Sequence, residues 1–365
     1  MTDNSPQKKD KGGRESIFVR KKLHFWIAAN IGLVLFIALL GLAAFRVING
    51  KKIKPSLNLP ISGAPVAEKG SEFRRVLDGE KVLSGMENPY PIAVMIDNNP
   101  DARPQAGLAR ANLVIEAEVE GGVTRYLAIF LSTNLPERIG PVRSARPYFV
   151  DWAHELSAVY THCGGSPEAL VKVTRENIID LNEFYKGDYF WRDKIRKAPH
   201  NVYTSQQLVN SFLENKNLSE GKFFSWLYKD DAPKEARPAD QEVYIGYRIK
   251  GSKVTWKYNP ESNNYERYLG QNKHQDDSGE SIRAKNIIIQ TISAQEIDKE
   301  LRLKMEVVGE GQAVICRDGV CETGKWQKKN PSARTRFYKA DGSEFEFNAG
   351  VTWIEVARPE IEVRF

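Results

Sequence analysis

The chain has 365 residues, of which 41% are hydrophobic and 27% are charged, and its formal net charge is +6 at pH 7. This composition is ordinary for a globular protein and excludes a collagen-like, disordered or disulfide-scaffold chain. Residues 1–55 hold 11 Lys and Arg against 3 Asp and Glu, and the rest of the chain holds 42 against 44. The body is therefore nearly neutral, which removes the main support for nucleic-acid binding.

Residues 25–45 form an apolar run in which Asn30 is the only clearly polar member. A helix of that length spans about 30 Å, the hydrocarbon thickness of a bilayer, and it exceeds the roughly 7–15 apolar residues of a cleaved signal peptide. We predict a transmembrane helix over residues 25–47, preceded by a cytoplasmic basic tail at residues 1–24. Seven basic residues lie before the run and four after it, which places the N terminus inside and the body outside, as a single-pass protein.

Composition divides the remaining chain into four parts. Residues 48–89 are polar and rich in Pro, Gly and Ser, as in an extracytoplasmic tether and lead-in. Strand and helix patterns alternate over residues 90–214, which predicts an α/β N-terminal domain with a mixed sheet and flanking helices. Charged residues, Pro and Ser mark a connection at residues 215–241. Short strands separated by turns predict a mostly antiparallel β domain over residues 242–365.

Apolar runs give the clearest strand signals in the N-terminal domain. Residues 92–96 and 113–118 are short apolar strands, and residues 124–131 are apolar almost throughout, as in a strand buried on both faces. Helices are predicted over residues 145–156 and from residue 166 onward.

Two of the three cysteines, Cys316 and Cys321, flank an Asp318-Gly319 turn. A two-residue turn sets them opposite each other with Cα atoms about 4.5 Å apart, a distance that a disulfide tolerates. An oxidising extracytoplasmic compartment permits this bond. Two free thiols are the main alternative, and a zinc site lacks the second ligand pair that it needs. Cys163 is left unpaired.

The basic residues between 82 and 171 are all arginine: this segment contains six Arg and no Lys. The two residues differ where planar, bidentate hydrogen bonding is required. One interpretation is a set of Arg–carboxylate pairs that hold loops together. The other is a pocket for a phosphate or carboxylate group.

Local context favours the anion pocket. Arg143 and Arg146 flank Ser144 just before a predicted helix, where a cation opposes the helix macrodipole unless an anion lies there too. The next helix follows a Gly-Gly pair whose backbone N–H groups suit an anion. The candidate anion-binding residues are Arg103, Arg125, Arg143, Ser144, Arg146, His162, Gly164, Gly165 and Ser166.

Three further residues are candidates for chemistry. Asp97 ends the first strand of the domain and is the best-placed carboxylate for a general base or a metal. Asp151 is a second carboxylate on the first helix, and His200 lies in a Pro-containing loop that we expect to be packed. The sequence has no P-loop, nucleophile elbow or zinc-protease motif. It therefore indicates no cofactor, no defined metal site and no assigned catalytic residue.

Several runs resemble the YerB-like bacterial envelope proteins. These are residues 95–98 (MIDN), 102–108 (ARPQAGL), 120–125 (EGGVTR), 139–146 (IGPVRSAR), 198–204 (APHNVYT), 274–277 (HQDD) and 350–354 (GVTWI). The resemblance covers about residues 60–360. It implies two adjoining domains of unknown function in the cell envelope and assigns no reaction. Many members are lipoproteins, from which the predicted transmembrane anchor departs.

A weaker similarity is to the LytR-CpsA-Psr ligases, which move glycan polymers from polyprenyl pyrophosphate onto peptidoglycan. Residues 144–146 (SAR) and 158–165 (AVYTHCGG) are similar to two of their segments, but their acidic metal ligands have no match here. This is an analogy at the level of the fold.

Two functions are therefore expected. The first is binding of an anionic envelope component by the arginine cluster. The alternative is phosphoryl or glycosyl-phosphoryl transfer on polyprenyl-phosphate-linked glycans, and a divalent metal enters only there. The expected partners are the membrane and a cell-wall glycan or polyprenyl phosphate, with no nucleic acid, and no protein partner is predicted.

Overall fold

A computed structural model describes residues 73–249, 251 and 253–365 of the protein. The predicted transmembrane segment, residues 25–47, lies outside these residues. Within them, every helix is too short or too polar to cross a membrane.

The helices of the described residues are short, and most of the regular structure is strand. The helices are α1 (Pro147–His154), α2 (Pro167–Arg175) and α3 (Gln206–Asn215). The strands before residue 241 are β1 (Phe73–Arg74), β2 (Lys81–Val82), β3 (Pro91–Asp97), β4 (Leu113–Glu118), β5 (Thr124–Leu131), β6 (Val159–His162), β7 (Ile179–Asn182), β8 (Trp191–Arg192), β9 (Val202–Tyr203) and β10 (Leu227–Lys229). The later strands are β11 (Glu242–Ile245), β12 (Val254–Asn259), β13 (Asn264–Leu269), β14 (Asn272–Lys273), β15 (Arg283–Ala284), β16 (Asn286–Thr291), β17 (Ala294–Glu296), β18 (Leu303–Met305), β19 (Gly309–Arg317), β20 (Val320–Lys328), β21 (Arg336–Tyr338), β22 (Glu346–Asn348), β23 (Thr352–Ala357) and β24 (Val363–Arg364).

One large sheet runs through both halves of the body. Its strand order is β21-β20-β19-β16-β23-β4-β5-β3-β6-β7. The halves meet where β23 pairs in parallel with β4, with Thr352 opposite Leu113 and Glu355 opposite Glu116. The segments predicted as domains, residues 90–214 and 242–365, thus contribute strands to the same sheet. The boundaries between them stay a prediction.

The large sheet is covered on both faces, as the apolar runs indicate. In β3, Ala93 and Met95 belong to the core beneath α1 and α2. Ile92, Val94 and Ile96 belong to a second core, which contains α3 and a smaller sheet with the strand order β14-β13-β12-β11-β24. Alternate side chains therefore enter different cores, and every residue of β3 is buried.

The predicted fold class, an α/β domain followed by a mostly antiparallel β domain, is wrong. The described body is mostly β, because its helices have only eight to ten residues and many connections between strands are short turns. The later strands also do not form a separate antiparallel domain. β16 pairs in parallel with β23, and β23 pairs in parallel with β4.

Candidate functional site

Functional side chains gather at one edge of the large sheet. The parallel strands β3, β6 and β7 end there at Asp97, His162 and Asn182. β5 runs antiparallel to β3 and begins at the same edge, with Arg125 opposite Asp97. Because ligands of open sheets bind beyond the carboxyl ends of parallel strands, this edge is the candidate site.

Asp97 holds two basic side chains on one carboxylate oxygen. Its Oδ2 lies 2.7 Å from Nδ1 of His200 and 2.9 Å from Nε of Arg143, while the N–H of Asn99 donates to Oδ1 at 2.9 Å. Asp97 is buried, and Arg143 and His200 are partly exposed. Within the described residues His200 makes its side-chain hydrogen bond through Nδ1. Its Nε2 is therefore available to donate or accept a proton at the surface.

Arg125 lies buried beside this pair. Its Nη1 donates to the carbonyl of Ser144 at 2.9 Å, and its Nη2 is 3.8 Å from Oε2 of Glu120. Burial, together with the like charges of Arg146 and Arg143, lowers the pKa of Arg125 to about 10. Positive charge is thus concentrated at this edge of the sheet.

Arg146 finds its compensating anion within the protein. Glu120 accepts hydrogen bonds from both Nε and Nη2 of Arg146, the second at 2.7 Å. Burial raises the pKa of Glu120, but the hydrogen bonds and charge of Arg146 outweigh it and hold that pKa below its ordinary value. Arg146 precedes α1 without capping it through its side chain. A structural carboxylate therefore neutralises the cation that the sequence places at this helix start.

His162 and the segment that follows it are engaged within the fold. Nδ1 of His162 lies 2.7 Å from the carbonyl of Gly164, and Nε2 lies 2.8 Å from Oδ1 of Asp180. The N–H of Gly164 donates to a side-chain oxygen of Asn182 at 2.9 Å. Gly165 forms a parallel bridge with Ala145, and the Ser166 hydroxyl caps α2 by accepting from Ala169 at 3.3 Å.

Arg103 lies next to the Asp97 pair, against Asn98, whereas Asp151 lies in a separate cavity. Nε of Arg103 donates to Asn98 at 3.1 Å, and its Nη1 donates to the carbonyl of Gly251 at 2.7 Å. Asp151 accepts from Lys172 at 2.6 Å, and it lines a cavity of ≈ 310 Å³ together with Arg146 and Ser166. The predicted candidate residues therefore lie in two places: the sheet edge at Asp97 and the cavity lined by Asp151.

Sequence reasoning missed a buried charge network behind the site. Arg267 is fully buried, and its guanidinium donates to Oε2 of Glu116 at 2.5 Å and to Nδ1 of His274 at 2.8 Å. Asn98 donates to the other oxygen of Glu116 at 3.1 Å, and Nε2 of His274 bonds Gln105 at 3.0 Å. Asn98, Gln105 and His274 each lie in one of the runs that resemble the YerB-like proteins, residues 95–98, 102–108 and 274–277. Those runs are the sequence signal that could have located the network.

The network also fixes the form of His274. Burial, and then the charges of Arg267 and Arg103, hold the pKa of His274 well below its ordinary value. Because Arg267 donates to Nδ1, the neutral ring carries its proton on Nε2 and donates it to Gln105.

The three cysteines form one disulfide and one free thiol. Cys316 and Cys321 are opposite each other in the β19–β20 hairpin, and their sulfur atoms are 2.01 Å apart in a disulfide. Asp318 and Gly319 form the turn, both with positive φ. Cys163 is a free thiol whose pKa burial raises to about 11. Within the described part of the chain, His, Cys, Asp and Glu form no group of three placed to hold a metal ion.

These features define a class of bipartite β protein, in which two halves share one sheet and a polar cluster lies at its carboxyl edge. Residues 77–219 match the family model described as "Protein of unknown function (DUF3048) N-terminal domain", and residues 243–354 match the model of the corresponding C-terminal domain. The chain belongs to this family. The resemblance to YerB-like proteins is thereby confirmed.

A curated relative and a solved structure agree with this assignment. The chain is 30% identical over 303 residues to "Putative lipoprotein YerB" of Bacillus subtilis (strain 168), an alignment that covers 81% of this chain and 89% of that protein. The crystal structure of the YerB protein from Bacillus subtilis matches with a TM-score of 0.71 at 29% identity, over 80% of this chain and 100% of that chain. An envelope location is consistent with the relative's name.

Proposed function

We propose that the protein binds a phosphate- or carboxylate-bearing component of the cell envelope at the edge formed by Asp97, Arg125, Arg143 and His200. The observation that carries this proposal is the buried guanidinium of Arg125 beside two further arginines. Asp97 and Glu120, the acidic neighbours, are already shared with His200 and Arg146. Burying a cation among like charges costs free energy that an added anion offsets.

Residues 69–365 can be used alone to measure anion binding. Residues Lys69–Phe365 form one compact unit, and the solved relative matches this chain over 80% of its length with the whole of its own chain. We infer that residues 69–365 fold without the segment before them.

Replacing Arg143 is expected to abolish stabilisation by pyrophosphate. A ligand at a hundred times its dissociation constant stabilises by about 2.7 kcal/mol, so the wild-type body should melt at a higher temperature with pyrophosphate. Arg143→Ala should lose this shift, and Arg143→Lys should lose most of it, because an ammonium group cannot replace a planar fork. Thermal unfolding with phosphate, pyrophosphate and polyprenyl-phosphate analogues measures the response.

Arg175 provides the matched control, because it is an exposed arginine on α2 that pairs with its neighbour Glu176. Arg175→Ala should keep the full pyrophosphate response. An equal response in the Arg143→Ala and Arg175→Ala variants would refute the proposed site.

We also infer that the protein is held at the cell membrane, with its N terminus in the cytoplasm and its body outside. Three observations support this placement: the basic excess of residues 1–55, the relative named as a lipoprotein and the Cys316–Cys321 disulfide. A cell-wall glycan or a polyprenyl phosphate is then the ligand within reach.

A reporter fused after Phe365 tests this placement. An alkaline phosphatase fusion, which needs an oxidising compartment, should be active, and a fluorescent protein that matures only in the cytoplasm should stay dark. The reverse pair of results would overturn the extracytoplasmic placement.

The pairing of His200 with Asp97 favours a second candidate function, phosphoryl or glycosyl-phosphoryl transfer. A carboxylate that holds Nδ1 leaves Nε2 to take the proton of an acceptor hydroxyl as its oxygen bonds to the phosphorus that carries the glycan. The bond from that phosphorus to the bridging pyrophosphate oxygen breaks and polyprenyl phosphate leaves, while Arg143 and Arg125 stabilise the developing negative charge. His200→Gln should then stop transfer from a polyprenyl-pyrophosphate-linked glycan, assayed with and without Mg²⁺, yet keep most of the pyrophosphate-induced shift, because both arginines remain. Unchanged transfer in this variant would exclude the role.

A further inference from the structure

Exposed apolar side chains cluster in the segment 184–197, which lies between β7 and β9. Phe184 is 64% exposed, Tyr185 76% and Ile195 93%. Single apolar residues on a surface are normal, but several large ones in one short segment mark a site of interaction. We call Phe184, Tyr185 and Ile195, with Lys194 and Lys197, the docking surface.

Two contacts join the parts of the docking surface to each other and to the candidate site. Glu183, next to Phe184, accepts from Nη2 of Arg192 at 2.9 Å, which ties the loop after β7 to the turn that carries Ile195. The carbonyl of Lys197 accepts from the N–H of His200 at 3.0 Å. The segment that carries the exposed apolar residues thus runs from the end of β7 to the turn that holds His200.

Charge complements the apolar character of this surface. Segment 184–197 contains five basic and two acidic residues. Lys194 and Lys197 stand on either side of Ile195, and both are exposed and form no ion pair within the described residues. Exposed aromatic and aliphatic side chains in one segment with lysines are typical of contact with an anionic membrane interface, where the apolar groups enter the head-group region and the ammonium groups bind phosphates.

We propose that the docking surface binds an anionic phospholipid bilayer. Phe184, Tyr185 and Ile195 enter the head-group layer, and Lys194 and Lys197 contact the lipid phosphates. The proposal goes beyond the proposed function, because bilayer binding does not require that Arg143 bind any ligand.

Vesicle co-sedimentation of residues 69–365 tests the proposal. The wild-type body should bind phosphatidylcholine vesicles that contain phosphatidylglycerol, should bind pure phosphatidylcholine far more weakly, and should be released by salt. The double variant Lys194→Glu/Lys197→Glu should lower the partition coefficient at least about tenfold, since each lysine near an anionic surface contributes about fivefold. Phe184→Ser/Ile195→Ser should also lower it about tenfold or more.

Matched controls exist elsewhere on the described body. Phe224 is 75% exposed, and Lys304 is exposed on β18; Phe224→Ser and Lys304→Glu should bind vesicles like the wild type. All of these variants replace exposed side chains, and an unchanged melting temperature verifies that each is folded.

The outcomes separate the two proposals. Failure of the wild type to bind anionic vesicles would overturn bilayer docking and assign the surface to a protein partner. Equal binding by Phe184→Ser/Ile195→Ser and Phe224→Ser would overturn it as well. Arg143→Ala should bind vesicles normally, and Phe184→Ser/Ile195→Ser should keep the pyrophosphate-induced shift, so failure of the anion site is distinguishable from failure of bilayer docking.

Discussion

Replacing Arg267 by alanine is expected to lower the free energy of unfolding by about 3–5 kcal/mol, because it removes one partner from a buried ion pair. The guanidinium is 2.5 Å from Glu116 and 3.8 Å from Glu355, and all three side chains are fully buried. Its centre also lies 4.9 Å from the ring of Trp353. The variant leaves the buried carboxylate of Glu116 without its cation and opens a cavity beside an aromatic ring.

Urea unfolding of residues 69–365 measures this loss as a shift of the midpoint at constant slope. Arg283 provides the control, because it is an exposed arginine whose pair with Glu266 spans 3.1 Å. Arg283→Ala should cost less than about 1 kcal/mol. Similar midpoints for the two variants would show that the buried network stabilises the body no more than a surface pair does.

The individual strands were predictable because their signal is local. β4 and β5 begin and end at Leu113–Glu118 and Thr124–Leu131, the residues that carry the apolar runs. The helix predicted over residues 145–156 is confirmed in shorter form, and it begins at Pro147, which suits the first helical position.

The architecture was not predictable from the same signals. An apolar run shows that a strand is buried, but it does not show which strand lies beside it. The parallel pairing of β23 with β4 joins residues more than two hundred positions apart in the chain. Without that pairing the sequence favours two separate domains, and the strand-rich body was therefore assigned to the wrong class.

The candidate site shows the same limit at the level of single residues. Asp97 and His200 were each predicted as candidates, yet the hydrogen bond between them spans 103 positions. Charge counting identified Arg146 as a cation in need of an anion but could not show that Glu120 supplies it. Long-range contacts decide which candidates form a site.

Glu355→Gln is expected to gain stability relative to the wild type as the pH rises from about 4.5 to about 8. Glu355 is buried on β23, where burial and the charge of Glu116 raise its pKa from 4.5 to about 8. Between these values the native state keeps a proton that the unfolded chain releases. The stability that Glu355 contributes is therefore complete below about pH 4.5 and is lost as the pH rises through about 8.

Glutamine preserves the neutral hydrogen bonding without this cost. Its carbonyl oxygen can accept from Nε1 of Trp256, which lies 2.8 Å from Oε1 of Glu355. Its amide can donate to the hydroxyl of Tyr247, which in turn donates to the carbonyl of Val356 at 3.3 Å. Since each pKa unit corresponds to about 1.4 kcal/mol, the difference between variant and wild type should reach several kcal/mol, on the order of 4, by pH 8.

Urea unfolding of both proteins at several pH values between 4.5 and 8 gives this difference directly, and other titrating groups cancel because they are common to both. Glu362, an exposed residue near the C terminus, is the control, and Glu362→Gln should show a small difference that does not change with pH. A flat difference for Glu355→Gln would mean that Glu355 is ionised in the native state at neutral pH. Arg267 would then balance two buried carboxylates, Glu116 and Glu355, instead of one.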